Sequence, residues 1–313
     1  MHPAKPIQGV TDMRITTVAI LSPGDMGHAV GRALGDHGLK VITCLKGRSE
    51  RTCRLASKGN FQDVPDLKEL VSRADLILSI LVPSEAIGVA QRVADAIQDS
   101  GSGPPFVDCN AVSPQSAHVM YDIIGAVGGS YIDGSIIGGP PSRGTPPRIY
   151  VSGPGSTIMA ALDGKGIEVR PMGDEIGRAS AIKMCYAAGT KGTTALHTAL
   201  LTAAEALGVS QELATELQSS QPDVYKRMEG QVPGLPISAG RWIGEMEEIA
   251  ATFDHVGITP GFHEGAAAMF RLLAQTRFAQ ETPETRDPNR TLAQTIAYLA
   301  QLLPEPDERK QIP

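Results

Sequence analysis

The sequence predicts an α/β protein in which a Rossmann-type, doubly wound N-terminal domain is joined by a long interdomain helix to an all-helical C-terminal domain. Three observations predict this class. Short apolar or β-branched segments alternate with helix-like segments through the first half. A long, proline-free segment rich in alanine and threonine follows, and after it only helical spacing of apolar residues recurs. We therefore predict domains at residues 14–174 and 175–313.

The first half begins with a strand, a turn, a helix and a second strand, in RITTVAI, LSPGDMGHAVGRALGDHG and LKVITCL. This order builds a right-handed parallel unit. Further strands are predicted in ADLILSILVP, PPFVDCNAV, GGSYIDGSII and PRIYVSGP, and helices in SEAIGVAQRVADAIQ and SPQSAHVMYDIIGAV. The alternation is typical of a doubly wound parallel sheet.

The second half is predicted to contain helices alone. EIGRASAIKMCYAAGTKGTTALHTALLTAAEALG is predicted as one long helix despite its glycines. Helical spacing then recurs in SQELATELQ, AGRWIGEMEEIAATFDHVG and HEGAAAMFRLLAQT, and no convincing strand follows.

Composition narrows the classes of partner. The 313 residues carry a formal net charge of -6, which argues against nucleic acid or an anionic membrane as a partner. The longest dense apolar run, LILSILV, is too short to span a bilayer, and the first 14 residues lack the apolar region of a secretory signal. The four cysteines and seven histidines show no metal-ligand spacing. We expect a cytoplasmic protein with reduced thiols and no metal.

Residues 19–38, AILSPGDMGHAVGRALGDHG, contain the first candidate site. A dinucleotide-binding turn usually reads G-x-G-x-x-G, and here Ser22, Gly24 and Gly27 occupy those positions. Gly24 would admit a pyrophosphate and Gly27 a close helix-to-strand contact, while Ser22 is small enough to be tolerated in the turn if its backbone keeps a negative φ. The alternative is the tight connection that any α/β protein uses.

The loop after the second predicted strand indicates which nucleotide would bind. An NAD enzyme normally has an acidic residue here for the ribose, but no acid occurs before Glu50. Donors suited to a 2'-phosphate are present instead, at Lys46, Arg48, Ser49 and Arg51. NADP is therefore the expected cofactor, with NAD as the other option. The alternative is a solvated basic loop.

Five segments, GDMGHAVGRALGDHGLKV, ADLILSILVP, VDCNAVSP, DGSIIGG and GRASAIKMCYAAG, resemble in this order the motifs of the β-hydroxyacid dehydrogenase superfamily. That superfamily includes 3-hydroxyisobutyrate and 6-phosphogluconate dehydrogenases. RWIGEMEEIA resembles its branch with a poorly characterised, phosphogluconate-dehydrogenase-like C-terminal domain. The resemblance implies a two-domain NAD(P)-dependent oxidoreductase that dimerises through its helical domain. It implies nucleotide contacts from Ser22, Pro23, Gly24, Asp25, Met26, Gly27, Leu81, Val82 and Pro83.

The same resemblance implies the substrate site. Lys183 aligns with the catalytic lysine, and Gly138 and Gly139 align with the glycines of a substrate loop. Where the superfamily has hydroxyl, amide or charged groups, this sequence has Asn110, Ala111, Ile137, Ala187, Gly244 and Glu245. Trp242 is a candidate apolar wall. The apolar replacements, Ala111, Ile137 and Ala187, predict a substrate that is bulkier or less polar than simple β-hydroxy acids.

The flanks of Lys183, RASAI and MCYAAGT, are small or apolar. Burial disfavours the charged form of a lysine. A lysine that acts as a general acid and base for a carbonyl needs such an environment, because it must lose and regain its proton. The alternative is a lysine whose stem packs while its ammonium reaches water.

The predicted function is hydride transfer between a nicotinamide and a carbonyl or alcohol carbon. Two rivals are an imine reductase and a non-catalytic NADP-binding sensor.

Overall fold

A computed structural model describes residues 14–141 and 145–304, which divide into two compact units between Lys183 and Met184. The first unit contains one eight-stranded sheet with strand order β3-β2-β1-β4-β5-β6-β7-β8. The strands are β1 (Thr17–Leu21), β2 (Lys40–Thr43), β3 (Gln62–Asp63), β4 (Leu76–Ser79), β5 (Phe106–Asp108), β6 (Tyr131–Ile137), β7 (Arg148–Ser152) and β8 (Glu168–Pro171). Strands β1 to β6 run parallel in the doubly wound order, which confirms the predicted fold class.

Helices separate the strands of this first unit. They are α1 (Asp25–Asp36), α2 (Glu50–Lys58), α3 (Leu67–Arg73), α4 (Ala86–Ser100) and α5 (Pro114–Ala126), with 3-10 segments at Pro83–Glu85 and Ser156–Leu162. Alternate residues of β1 enter different hydrophobic clusters, Ala19 and Leu21 in one and Val18 and Ile20 in the other. The sheet is therefore buried on both faces, which explains why its strands are continuously apolar.

The sheet departs from the prediction in three strands. β7 runs antiparallel to β6, with Asp133 opposite Ser152. Only residues 138–147 join these two strands, and a parallel return would need a longer crossover. β3 and β8 were not predicted, because QD and EVRP are short and lack an apolar run. Their strand conformation comes from pairing with β2 and β7.

The remaining elements are all helical in the described part of the chain. They are α6 (Arg178–Ala187), α7 (Thr193–Ala206), α8 (Ser210–Ser220), α9 (Pro222–Gln231), α10 (Pro236–His255), α11 (Gly261–Ala274) and α12 (Leu292–Gln301), with 3-10 segments at Val232–Gly234 and Arg277–Gln280. The unit boundary falls within α6. None of the described helices combines the length and the apolarity that crossing a bilayer requires.

The predicted long helix is continuous but not uniform. Between α6 and α7, residues Ala188–Gly192 form a π-helical turn. Thr190 Oγ1 donates to Tyr186 O at 3.1 Å, and Thr193 Oγ1 donates to Gly189 O at 2.7 Å. Hydroxyls that bond back to carbonyls, together with glycines, loosen the regular ladder. The turn therefore lies where the sequence GTKGTT favours it.

Candidate active site

The turn between β1 and α1 has the geometry of an anion-binding helix start. Gly24 is the N-cap of α1, and no side chain among the described residues caps this helix. A Cβ on Gly24 would have only Ser22 O nearby, at 4.0 Å, whereas one on Gly27 would lie 3.1 Å from Ser22 O and 3.4 Å from Ile20 Cγ2. Gly27 thus permits close helix-to-strand packing, and Gly24 leaves its surroundings open. The first N–H groups of the helix remain available to an oxyanion.

Ser22 does not adopt the expected backbone conformation. Its φ is +62°, in the left-handed region, so the condition of a negative φ, under which serine would be easily tolerated here, is not met. Gly24 N donates to Ser22 O at 2.7 Å, so the chain turns sharply directly after this residue. The position thus has the backbone that glycine adopts easily, and serine holds it at a conformational cost.

The basic loop lies beside the glycine turn. Arg51 Nη2 is 2.6 Å from Asp25 Oδ1, which joins the first turn of α2 to the first turn of α1. Ser49 caps α2 by accepting a hydrogen bond from Thr52 N at 3.3 Å. Lys46 and Arg48 are exposed. Two of the four predicted phosphate donors therefore have structural partners, and the other two face solvent.

Asn110 joins the carboxyl ends of two parallel strands. Its Oδ1 accepts from Leu81 N at 2.6 Å, just beyond β4, and its Nδ2 donates to Ser79 Oγ at 3.1 Å and to Asp108 Oδ1. The side chain is buried. Both amide hydrogens are used within the protein, so Asn110 holds the loop that contains Leu81, Val82 and Pro83. Its predicted contact with substrate stays a prediction.

Asp133, which the sequence analysis did not single out, anchors the start of the helix that carries Lys183. Its carboxylate accepts from Gly177 N at 3.0 Å, Ser180 N at 3.1 Å, Ser180 Oγ at 2.6 Å and Ser152 Oγ at 3.0 Å. Ser152 Oγ in turn accepts from Ala179 N at 3.1 Å. Burial raises the pKa of Asp133, and these hydrogen bonds oppose the rise. The strands β6 and β7 thus fix the N-terminus of α6.

Lys183 follows this anchor by one helical turn. Its Nζ donates to Ile136 O at 2.9 Å, and its side chain is half-buried. Ile136 lies on β6 beyond Asp133, towards the carboxyl end of the strand. Because β6 is parallel to β5, the ammonium is held at the edge of the sheet where the glycine turn and Asn110 also lie.

The substrate loop after β6 begins at the same edge. Ile137 is almost fully buried, whereas Gly138 and Gly139 are exposed. Gly138 has a φ of +123°, a conformation for which glycine is required, because L side chains rarely adopt it. Ala111 is half-buried directly after Asn110. These predicted substrate residues therefore cluster at one edge of the first unit.

The remaining predicted substrate residues belong to the helical unit. Ala187 and Glu245 are buried, and Trp242 is half-buried with its ring edge against Phe270 at 5.3 Å between centroids. Glu245 Oε2 accepts from Lys191 Nζ, which also lies 5.0 Å from the centroid of the Trp242 ring. The acid at position 245 thus has a cationic partner from the π-helical turn.

Neither a metal centre nor a nucleophilic cysteine is indicated by the described residues at these positions. No group of three metal-ligating side chains occurs among the residues that the structure describes. Cys109 lies between Asp108 and Asn110, but burial, followed by the charges of Asp108 and Asp133, raises the pKa of its thiol. A thiol in this environment is a poor nucleophile because it resists ionisation.

Two family models match parts of the chain. Residues 12–100 match the NADPH-binding domain of acetohydroxy acid isomeroreductase, and residues 204–273 match a domain of unknown function, DUF1932. The chain is also 28% identical over 183 residues to an uncharacterized 28.5 kDa protein in the 7S RNA 5' region of Methanothermus fervidus. That match covers 58% of this chain and 69% of its relative.

Solved structures share the fold. The chain is similar to MTH1747, a conserved protein of unknown function described as structurally similar to 3-hydroxyacid dehydrogenases, with 26% identity and a TM-score of 0.60 over 82% of this chain and 96% of that one. It is similar to the 3-hydroxyisobutyrate dehydrogenase of Mycobacterium tuberculosis with 16% identity and a TM-score of 0.62. The latter match covers 90% of this chain and 98% of that one, and it shows the fold alone.

Proposed function

We propose that this chain, a member of the β-hydroxyacid dehydrogenase-like superfamily, is an NAD(P)-dependent oxidoreductase acting between a nicotinamide and a carbonyl or alcohol carbon. One observation carries the proposal: α1 starts uncapped, directly after β1, at the point of the sheet where the strand order reverses. In doubly wound sheets, dinucleotides bind at this point.

The residues of the turn fit the pyrophosphate of a dinucleotide. Gly24 offers open space beside the helix N-terminus, and Ser22, Pro23 and Met26 complete the turn around it. A bound nicotinamide supplies the hydride chemistry, and the protein's part is to bind, orient and exchange a proton. Leu81, Val82 and Pro83, held by Asn110, are the proposed contacts at the neighbouring strand end.

Lys183 is the proposed general acid and base. Its Nζ is held at Ile136 O, on a helix whose start is fixed by Asp133. In the direction of reduction, Nζ donates a proton to the substrate oxygen as the carbon is reduced, and in oxidation it removes that proton. The hydrogen bond to a carbonyl keeps the ammonium oriented without neutralising its charge.

The nucleotide preference is proposed from the basic loop. Lys46 and Arg48 are exposed next to the turn, so they are the cations that would meet a 2'-phosphate. Arg51 contributes through its pair with Asp25, and Ser49 through the cap that begins α2. These features support NADP over NAD.

We assign nucleotide binding to residues 14–174 and substrate binding and dimerisation to residues 175–313, of which 305–313 lie outside the described residues.

Buried Ile137 and Ala187, with Ala111, support a substrate bulkier or less polar than simple β-hydroxy acids. Exposed Leu196 and Phe262 on the helical unit support a homodimer. The absence of a disulfide among the four cysteines supports a cytoplasmic location.

The test compares two glycines of the same helix. Gly24→Ala places a methyl group where phosphate would approach, yet its nearest protein atom would be 4.0 Å away. We expect NADPH affinity, measured by calorimetric titration, to fall about tenfold or more, because one buried contact to a charged group amounts to about 1.5–3 kcal/mol. The thermal midpoint should stay close to that of the wild type.

Gly35→Ala is the matched control, because a Cβ at Gly35 has no neighbour within 4 Å. It should leave NADPH affinity unchanged and should not destabilise α1, since alanine favours a helix. Titration with NADH in parallel tests the preference for NADP. If the wild type binds neither nucleotide, or if Gly24→Ala binds NADPH as tightly as the wild type does, the oxidoreductase proposal loses its basis.

A further inference from the structure

The helical unit contains a cavity that the nucleotide-binding and proton-transfer parts of the oxidoreductase proposal do not use. Its volume is about 460 Å³, within the range of pockets that hold small molecules. Its walls come from α7 and the π-helical turn, from α9, from α10 and from the segment before α12. The residues on which the argument depends are Lys191, His197, Arg227, Gln231, Trp242 and Arg286.

The lining is cationic. Three of the lining residues, Lys191, Arg227 and Arg286, carry positive charge, and no Asp or Glu lies among the described residues that form the walls. Glu245 balances Lys191 from outside the lining. Among the described residues, neither arginine of the walls has an equivalent carboxylate partner. In a chain of net charge -6, such a concentration of positive charge is unusual.

Two lining side chains have buried polar atoms that lack a hydrogen-bond partner in the described structure. They are His197 Nδ1 and Arg286 Nε. His197 as a whole is only 9% exposed. Leaving a buried donor unsatisfied is costly, so such atoms indicate that a further group belongs beside them. Both side chains face the same cavity.

The walls of the cavity combine a guanidinium, an imidazole and apolar side chains. A Cβ on Gly234 would lie 2.9 Å from Arg286 Nη1, so glycine at this position makes room for the guanidinium. Burial, and then the charge of Arg227, lower the pKa of His197, which therefore offers a neutral imidazole near pH 7. Trp242 and Leu235 supply apolar wall beside these polar groups.

We infer that this cavity binds a small organic molecule through an oxyanion, a carboxylate or a phosphate, which Arg227 and Arg286 grip while its apolar part lies along Trp242 and Leu235. Planar guanidinium groups match the oxygens of both anions in pairs, which is why arginine is typical of such sites. The site shares no residue with the nucleotide turn, and Trp242 is the one predicted substrate residue among the described residues of its lining.

The test is calorimetric titration of the full chain, without nucleotide, with three probes that share a phenyl ring. Phenyl phosphate tests the phosphate, phenylacetate tests the carboxylate, and 2-phenylethanol is the neutral reference. We expect at least one anion to bind and the alcohol to bind at least about tenfold more weakly. The anion that binds more tightly shows whether the cavity prefers a phosphate or a carboxylate.

Variants locate the binding. Arg227→Gln and Arg286→Gln should each weaken binding of the preferred anion about tenfold or more. Lys226→Gln, which removes the same charge from an exposed neighbour outside the cavity, should leave it within about twofold. Because Arg227 is itself exposed, its variant remains informative even if Arg286→Gln fails to fold. The inference is overturned if neither anion binds at millimolar concentration, or if Arg227→Gln binds as the wild type does.

Discussion

At the scale of single residues, the role of Lys183 depends on partners that the sequence does not place beside it. Asp133 and Ser152, on strands β6 and β7, hold the first N–H groups of α6. Ile136 then accepts from Lys183 Nζ. A lysine on a helix is unremarkable by itself. Here strand residues determine both where the helix starts and where its ammonium lies.

Lys183→Ala should reduce kcat by a factor of about 100 to 10,000, because that is the usual contribution of a general acid or base. NADPH affinity should remain within about twofold, since the lysine is not part of the turn. The measurements are NADPH oxidation with a panel of carbonyl compounds and calorimetric titration.

Lys165→Ala is the control for that experiment. Lys165 also donates to a backbone carbonyl, Ala161 O at 2.6 Å, but is not among the predicted site residues. It should turn over substrate at the wild-type rate. A Lys183→Ala variant that keeps kcat within a factor of ten would rule out the proton-transfer role.

His263 should make the protein sensitive to acid. It is buried against Phe253, and its Nδ1 has no partner within the described structure. Burial lowers the pKa of His263 below its ordinary value of 6.5. The unfolded chain therefore binds a proton more readily, and this residue's contribution to stability is present above pH 6.5 and is lost as the pH falls through the folded pKa.

We expect His263→Leu to flatten the decline of unfolding free energy between about pH 7.5 and about pH 5.5, measured by urea denaturation. Some slope should remain, because burial also lowers the pKa of His197. His118→Leu, at an exposed position of α5, should leave the slope unchanged. An identical slope in His263→Leu and the wild type would contradict the prediction.

At the scale of elements, most helices and strands follow from local patterns. Alternation of apolar runs with helical spacing predicted the order of β1, α1 and β2 and the helical second half. Local patterns did not predict that β7 returns antiparallel, nor that β3 and β8 exist. Those outcomes depend on which strand lies alongside and on the length of the connection, which are not properties of the segment itself.

The turn before α1 yields a prediction at this scale. Ser22 has a φ of +62°, so Ser22→Val should destabilise the protein by about 1–3 kcal/mol, since β-branched residues fit this conformation poorly. Ser22→Gly should change stability by less than about 1 kcal/mol, because relief of strain is offset by greater freedom of the unfolded chain. Urea unfolding measures both. Equal stability of the valine and glycine variants would contradict the left-handed geometry.

At the scale of the whole molecule, the helical unit exposes apolar side chains that a partner would cover. Leu196 is 64% exposed and Phe262 is 75% exposed, and both border an apolar cavity of about 600 Å³ that also includes Met269. Exposed apolar patches of this kind mark association surfaces. A second copy of the chain is the proposed partner.

Light scattering after size exclusion should give twice the chain mass of 32.9 kDa at micromolar concentration. Phe262→Asp should shift the protein to the monomer, because a buried interface does not tolerate an unpaired carboxylate. Val119→Asp introduces the same charge at a partly exposed apolar position of the first unit and should leave the mass unchanged. A monomeric wild type would refute the dimer.

The sequence by itself determined the order of β1, α1 and β2, the glycine turn after β1 and the helical character of the second half, because these follow from side-chain period and local backbone preference. Tertiary structure alone decided the left-handed φ of Ser22, the pairing of Arg51 with Asp25 and the three links made by Asn110. It also brought Arg227 and Arg286 to one cavity. The ion pair, the link from Asn110 to Leu81 and the meeting of the two arginines join residues distant in the chain, and their partners are set by packing, which no local pattern encodes.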